Sequence, residues 1–178
     1  KAGQGSPSNP IKLAEMKDPT GRNHAAFPYT SESTGQFYIV GGDENFPWGV
    51  MATKNKPSNP RGAYHFLNFT DPENPTEDAI YEVPEAGSHN LWIYGDMLLA
   101  GNYQGGFRVV DISGELLGDI YKQGREIAHY LSYHEKGRIA NAPMVWGAQP
   151  YKDYIFFSDM NSGLYCVQLE EESSSSTD

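Results

Sequence analysis

Short apolar runs, broken every few residues by Gly, Pro, Asn or Asp, recur from one end of the sequence to the other. They are too short for helices and are bounded by turn formers, so they predict strands. Residues 37–42, 97–101 and 154–158 read as one strand type, b. Residues 64–70, 107–113 and 164–169 read as a second, c. A Gly-containing turn joins b to c in the last two cases, and about 18 extra residues lie between them in the first. In strand c apolar residues stand side by side, Phe66 with Leu67 and Val109 with Val110. A sheet wetted on one face would alternate instead, so these strands are expected to be covered on both faces.

The runs repeat. Asn9-Pro10-Ile11-Lys12-Leu13-Ala14 aligns without a gap on Asn74-Pro75-Thr76-Glu77-Asp78-Ala79, at a spacing of 65. Continuing, Pro19 falls on Pro84 and His24 on His89, and Ser6-Pro7-Ser8 falls on Asp71-Pro72-Glu73. Both lead-ins are Pro-containing turns of the type that Ser, Asp and Asn favour. A second alignment, with Asn102 on Asp159, superposes residues 98–112 on 155–169. Strand a then starts at His24, at His89 and near Ala142. Strand d occupies 11–16, 78–83 and roughly 125–133. Four-stranded units of about 45 residues, stacked face to face, are propeller blades.

The expected fold is therefore all-β: a β-propeller of about three four-stranded blades, part of a six- or seven-bladed ring. The blades span residues 1–172, with strand d at 11–16 and blades at 24–83, 89–133 and 142–169. Residues 173–178 form an acidic, Ser-rich tail. A β-sandwich is the rival, and it predicts no fixed repeat. Three blades do not close a ring. Either the chain is the C-terminal half of a longer protein, which is the favoured expectation, or two copies assemble one ring, or another chain supplies the missing blades. Other protein chains or further blades are expected as partners in each case, because open strand edges aggregate.

Composition narrows the field. Among 178 residues, 23 acids against 13 bases give a net charge of −10. Phosphate recognition needs Lys and Arg, so nucleic acid is excluded as a partner. No apolar run is long enough for a transmembrane helix. The single cysteine, Cys166, forbids an intrachain disulfide and is expected to fill the core.

Ser88-His89-Asn90-Leu91-Trp92-Ile93, followed by Gly105-Gly106-Phe107-Arg108-Val109-Val110-Asp111-Ile112-Ser113, resembles the LVIVD-repeat proteins. Asn68-Phe69-Thr70-Asp71-Pro72-Glu73-Asn74-Pro75 resembles the end of their repeat, and Asp159-Met160-Asn161-Ser162-Gly163-Leu164-Tyr165 their final one. The resemblance covers about residues 6 to 170. It implies a bacterial propeller at the periplasm or cell surface, one longer than this chain. It implies little about activity. Gly114-Glu115-Leu116-Leu117-Gly118-Asp119 departs from the family's turn in the second blade.

Candidate chemistry is sparse. His24 and His89 open equivalent inner strands, so their imidazoles are expected to approach each other and to suit a transition metal, or else to cap turns. Asp43, Asn102 and Asp159 end the three b strands. Asp43-Glu44-Asn45 and Asp159-Met160-Asn161 are oxygen-rich enough to suggest Ca²⁺, with Asp43 and Asp159 as candidate ligands of a divalent metal and structural turn roles as the alternative. No nucleophile motif is present. Two insertions suggest partner binding. The loop at 44–61 carries Phe46, Trp48 and Met51, residue types enriched at interfaces. The segment 114–124 carries Leu116, Leu117 and Tyr121 at spacings that predict one or two amphipathic helical turns. The leading expectation is a non-enzymatic binding or scaffold protein acting through protein–protein contacts, as an accessory subunit on the periplasmic or outer face of a membrane-associated complex. The alternative is a metal-dependent hydrolase or oxidoreductase with its site at the channel mouth.

Overall fold

The computed structural model describes residues 5–46 and 59–170. These residues hold twelve strands in three sheets and no helix. The first sheet runs β1 (Asn23–Thr30), β2 (Phe37–Asp43), β3 (Tyr64–Asn68) and β4 (Thr76–Tyr81), with β8 (Gly118–Asp119) added at its edge. The second runs β5 (Leu91–Tyr94), β6 (Met97–Gly101), β7 (Phe107–Asp111) and β9 (Glu126–Tyr130). The third holds β10 (Val145–Tyr151), β11 (Tyr154–Asp159) and β12 (Gly163–Val167). Each is an antiparallel meander except at β8, which lies parallel to β4.

The sheets stack through two apolar layers. Tyr38, Val40, Tyr64, Phe66 and Ala79 of the first sheet meet Leu98, Ala100 and Val110 of the second. Leu99, Phe107 and Val109 on the opposite face of the second sheet meet Val145, Ala148, Ile155 and Phe157 of the third. Val109 and Val110 are adjacent in sequence and point to opposite faces, as strand geometry requires. Each enters a different layer, which explains the unbroken apolar run in β7.

The pairing repeats in detail. In the first sheet Phe66 lies opposite Ala79, and the register slips between Phe66 and Leu67. In the second, Val109 lies opposite Ala128, and the register slips between Val109 and Val110. The same bulge therefore sits at the same place in both third-to-fourth strand pairs. A cation from the third strand pairs with a glutamate of the fourth in each. His65 Nδ1 lies 2.5 Å from Glu77, and Arg108 Nη1 lies 2.9 Å from Glu126.

Three expectations need correction. Residues 11–16 form no strand here, and Ile11 and Leu13 are exposed. Residues 114–124 form no helix. Gly118, with φ of +66°, turns the chain onto β4, and Leu116 and Ile120 drop into the core of the first layer. Cys166 is exposed rather than core, because among the described residues no sheet covers that face of β12.

Glycine sets the distance between sheets. A Cβ on Gly101 would stand 2.5 Å from the carbonyl carbon and oxygen of Trp146. One on Gly42 would stand 3.0 Å from the His89 carbonyl oxygen. Gly101 ends β6, Gly42 stands one residue before the end of β2, and each touches the backbone at the inner end of the next sheet. Ser158 holds the same place in β11 and is exposed. We expect Gly101→Ala to cost about 1–3 kcal/mol by overpacking, lowering the melting temperature by roughly 3–10 °C for a domain of this size. Ser158→Ala should stay within about 0.5 kcal/mol. Thermal melts followed by circular dichroism test this, and equal shifts for the two variants would refute the spacing role.

Candidate metal centre

β-Bulges aim the inner-end side chains. In the β1–β2 pair Asn23 lies opposite Asp43 and Ala25 opposite Gly42, so His24 is the extra, unpaired residue. In the β10–β11 pair Val145 lies opposite Asp159 and Gly147 opposite Ser158, so Trp146 is the extra one. A bulge re-aims the side chain it carries. His89 stands at the corresponding place before β5, its N–H bonded to the Gly101 carbonyl at 3.0 Å. The three rings form a column. His24 and His89 centroids are 4.3 Å apart, and His89 stacks on Trp146 at 5.0 Å with planes 16° apart.

Glu44 completes the group. It follows Asp43 at the end of β2, and consecutive residues there point to opposite sides. His24 Nδ1 lies 3.0 Å from Glu44 Oε2, and His89 Nε2 lies 3.7 Å from Glu44 Oε1. One ligand atom from each of His24, Glu44 and His89 falls within 4.8 Å of the others. The Trp146 carbonyl lies 2.9 Å from His89 Nδ1. A carbonyl only accepts, so Nδ1 carries the proton and Nε2 keeps its lone pair toward Glu44 and His24. A carbonyl that accepts from one ring nitrogen orients the other toward a metal. The Tyr103 hydroxyl donates to Glu44 Oε1 and fixes the carboxylate from the other side. Burial, with His24 close by, holds His89 below its ordinary pKa, although Trp146 and Glu44 oppose that shift. The His89 side chain is 9% exposed, against 32% for His24 and 25% for Glu44. Two histidines and one carboxylate with one open side match the donor set of Zn²⁺ and its neighbours.

The other expected ligands lie elsewhere. Asp43 points into the first sheet, where its Oδ2 is 3.0 Å from His65 Nε2 and its Oδ1 accepts from the Thr20 hydroxyl at 2.7 Å. Asp159 is occupied by the Ser132 hydroxyl and by the N–H groups of Met144, Asn161 and Ser162. Both aspartates thus close loops, and neither approaches the histidine pair. Tyr103 and Trp146 were not singled out from the sequence, and Glu44 entered only as a neighbour of Asp43 in an oxygen-rich run. The repeat alignment held the signal, since Glu44 and Tyr103 follow Asp43 and Asn102 directly, and Trp146 stands where His24 and His89 stand.

The expected partner residues scatter. Phe46 packs edge-on against Tyr103 at 5.6 Å. Trp48 and Met51 lie outside the described residues, as does the tail at 173–178. Leu116 is core and Tyr121 packs on Tyr81, so only Leu117 of that trio is exposed. A groove of about 570 Å³ opens beside His24 along β1, β5 and β10, with Phe27, Trp92, Trp146 and Leu164 among its walls.

No protein-family model, curated protein or solved structure matches the chain.

His65 is the buried charge beside the site. Burial alone would lower its pKa, but hydrogen bonds to Glu77 and Asp43 outweigh burial and raise it. Both ring nitrogens face carboxylate oxygens, so the ring is held as imidazolium. Its folded pKa is raised above the unfolded value. The stabilisation is therefore complete below the unfolded pKa of about 6.5 and is lost as pH rises through the folded pKa. We expect His65→Leu to cost about 3–5 kcal/mol near pH 5.5, because two carboxylates lose their donor. The deficit relative to wild type should shrink by pH 9. Urea unfolding at the two pH values measures this, and a pH-independent deficit would contradict an imidazolium at this place.

Proposed function

We propose that the three sheets are blades of a β-propeller with a binding or scaffold role rather than a catalytic one. In this reading His24, Glu44 and His89 hold a divalent transition-metal ion that pins the first blade to the second. The observation that carries it is the convergence of ligands from two sheets on one point, with the His89 tautomer set by Trp146. His24 and Glu44 belong to the first sheet and His89 to the strand entering the second. An ion there couples the two sheets.

The propeller reading is supported by the antiparallel order within each sheet, by the shared bulges and by the glycine contacts between successive sheets. A periplasmic or surface setting, with docking on a larger membrane-associated assembly, is part of the proposal and rests on the resemblance to LVIVD-repeat proteins. Among the described residues no helix is long and apolar enough to cross a membrane. The groove beside His24 favours a second reading, in which the same ion serves a hydrolase or oxidoreductase at the channel mouth.

The test starts from chelator-treated protein. Zn²⁺ at about 100 times its dissociation constant should add about 2.7 kcal/mol, raising the melting temperature by roughly 5–10 °C. Co²⁺ should give a visible ligand-field band. His24→Ala and Glu44→Gln should abolish both effects. Absence of binding by calorimetry up to millimolar Zn²⁺ would overturn the metal site. Zn²⁺-dependent turnover that vanishes in the same variants would replace the scaffold reading with the enzymatic one.

A further inference from the structure

The groove along β1, β5 and β10 has an uncharged wall that the metal site does not use. These three strands each come first in their sheet and form its edge. Positions repeat across them. Phe27 lies opposite Val40, Trp92 opposite Leu99 and Gln149 opposite Phe156, which is the same place in each sheet. Two residues earlier stand Ala25, Asn90 and Gly147. Residues two apart on a strand share a face, and all six line the groove of about 570 Å³. One row is therefore aromatic, aromatic and amide. The other is an amide between two small residues.

The small residues make the space. A Cβ on Gly147 would stand 2.8 Å from the Asn90 Cβ, so glycine there leaves the amide its room. The Asn90 main chain is fully used, its N–H donating to the Trp146 carbonyl at 2.8 Å and its carbonyl accepting from the Gly101 N–H at 3.1 Å. Its side chain is exposed, as is that of Gln149. Trp92 is 38% exposed, and its ring lies 5.5 Å from that of Phe27 with planes 59° apart. The first and third sheets cover the two faces of the second. Asn90 and Trp92 are therefore open at its inner edge, where the groove runs.

We propose that this groove binds a neutral sugar, with one pyranose ring lying on Trp92 and its hydroxyls paired to the Asn90 and Gln149 amides. The charge of the lining selects the class. The chain carries 23 acids and 13 bases, yet among the described residues none of them lines the groove. His24 is the one titratable residue in the lining, and its Nδ1 is engaged 3.0 Å from Glu44. An ionised ligand would lose its water here and meet no countercharge.

Polarity narrows the class further. A plain hydrocarbon would strip water from two amides and return no hydrogen bond. Each amide offers two donors and an acceptor oxygen, and a sugar hydroxyl both donates and accepts. The C–H face of a pyranose supplies the apolar surface that an exposed indole needs. A flat nucleobase is best gripped between parallel rings, and Phe27 and Trp92 are tilted. The cavity is also of the size that small-molecule sites have. Sugar binding here needs no ion, so it stands apart from the metal reading.

The experiment uses the 178-residue chain in excess chelator. Glucose, galactose, mannose and N-acetylglucosamine are titrated, with saturation-transfer NMR reporting which sugar protons touch the protein. At least one should bind with a dissociation constant on the order of 1 mM, as suits a ligand of about a dozen heavy atoms. Saturation should be strongest on its ring C–H protons. Trp92→Ala should weaken binding about ten-fold, and Gln149→Ala about five-fold. Gln149 is exposed, so its variant should keep the wild-type melting curve. Tyr133→Ala removes an exposed aromatic outside the groove and should bind as wild type. No binding of any of the four sugars up to about 100 mM, tighter binding of adenosine or gluconate, or unchanged affinity in both groove variants would each overturn the proposal. Chelator is present throughout, so failure here is distinguishable from failure of the His24 site.

Discussion

The approach of one backbone to the next, with no Cβ between them, is what the rest of the structure depends on. Gly101 ends β6 and Gly42 stands one residue before the end of β2, each where the following sheet's inner segment passes; a methyl group at Gly101 would collide with the Trp146 carbonyl, and one at Gly42 would press on the His89 carbonyl. That contact locks the sheets at a fixed offset. Tyr64 then reaches across, its hydroxyl donating to the Gly101 carbonyl at 2.7 Å. Its burial and that hydrogen bond lie on the same seam, so the hydroxyl pKa is pushed far up by burial and the proton stays on oxygen. The sheets are held by backbone fit at their inner ends and by apolar side chains further out.

Charge follows the same economy of place. The third strands of the first two sheets each bury a cation, His65 or Arg108, against a glutamate held one bulge away. Removing water from such a pair is costly unless every donor meets an acceptor. Here the donors do. His65 uses both ring nitrogens, and Arg108 donates to both Glu126 oxygens and from Nε to the Gly105 carbonyl. These pairs specify register, because a slip of one residue would turn each cation to the opposite face.

Much of this was legible in advance. Apolar runs between turn residues marked β2, β6 and β11 to within a residue, since tight turns fix where a strand must stop. The spacing of 65 brought His24 and His89 into equivalence, and stacking made equivalence into proximity. What failed had a common cause in neighbours the sequence does not display. The spacing in 114–124 suggested a helix, but Gly118 and the open edge of β4 made a parallel bridge the better partner. Cys166 looked like core because its equivalents are core, yet burial needs a covering sheet. Asp43 was named where Glu44 is the acid that stands beside the two histidines, because the alternation of side chains at the strand end decides which of two adjacent acids faces them.

Repetition also explains how a site can arise here without a motif. Stacked units bring the same position of successive sheets to within one sheet spacing of each other. Identical residues there would give only a column of like groups. The column differs at each level: Glu44, Tyr103 and Met160 at one position, His24, His89 and Trp146 at the other. Divergence between copies thus places a carboxylate, two imidazoles, a phenol and an indole around one point. The indole ring stacks on His89, and the backbone carbonyl of the same residue fixes the His89 tautomer, so the tautomer is set by a residue that no ligand pattern would include. The geometry comes from the repeat, and the chemistry comes from where the repeat has been broken.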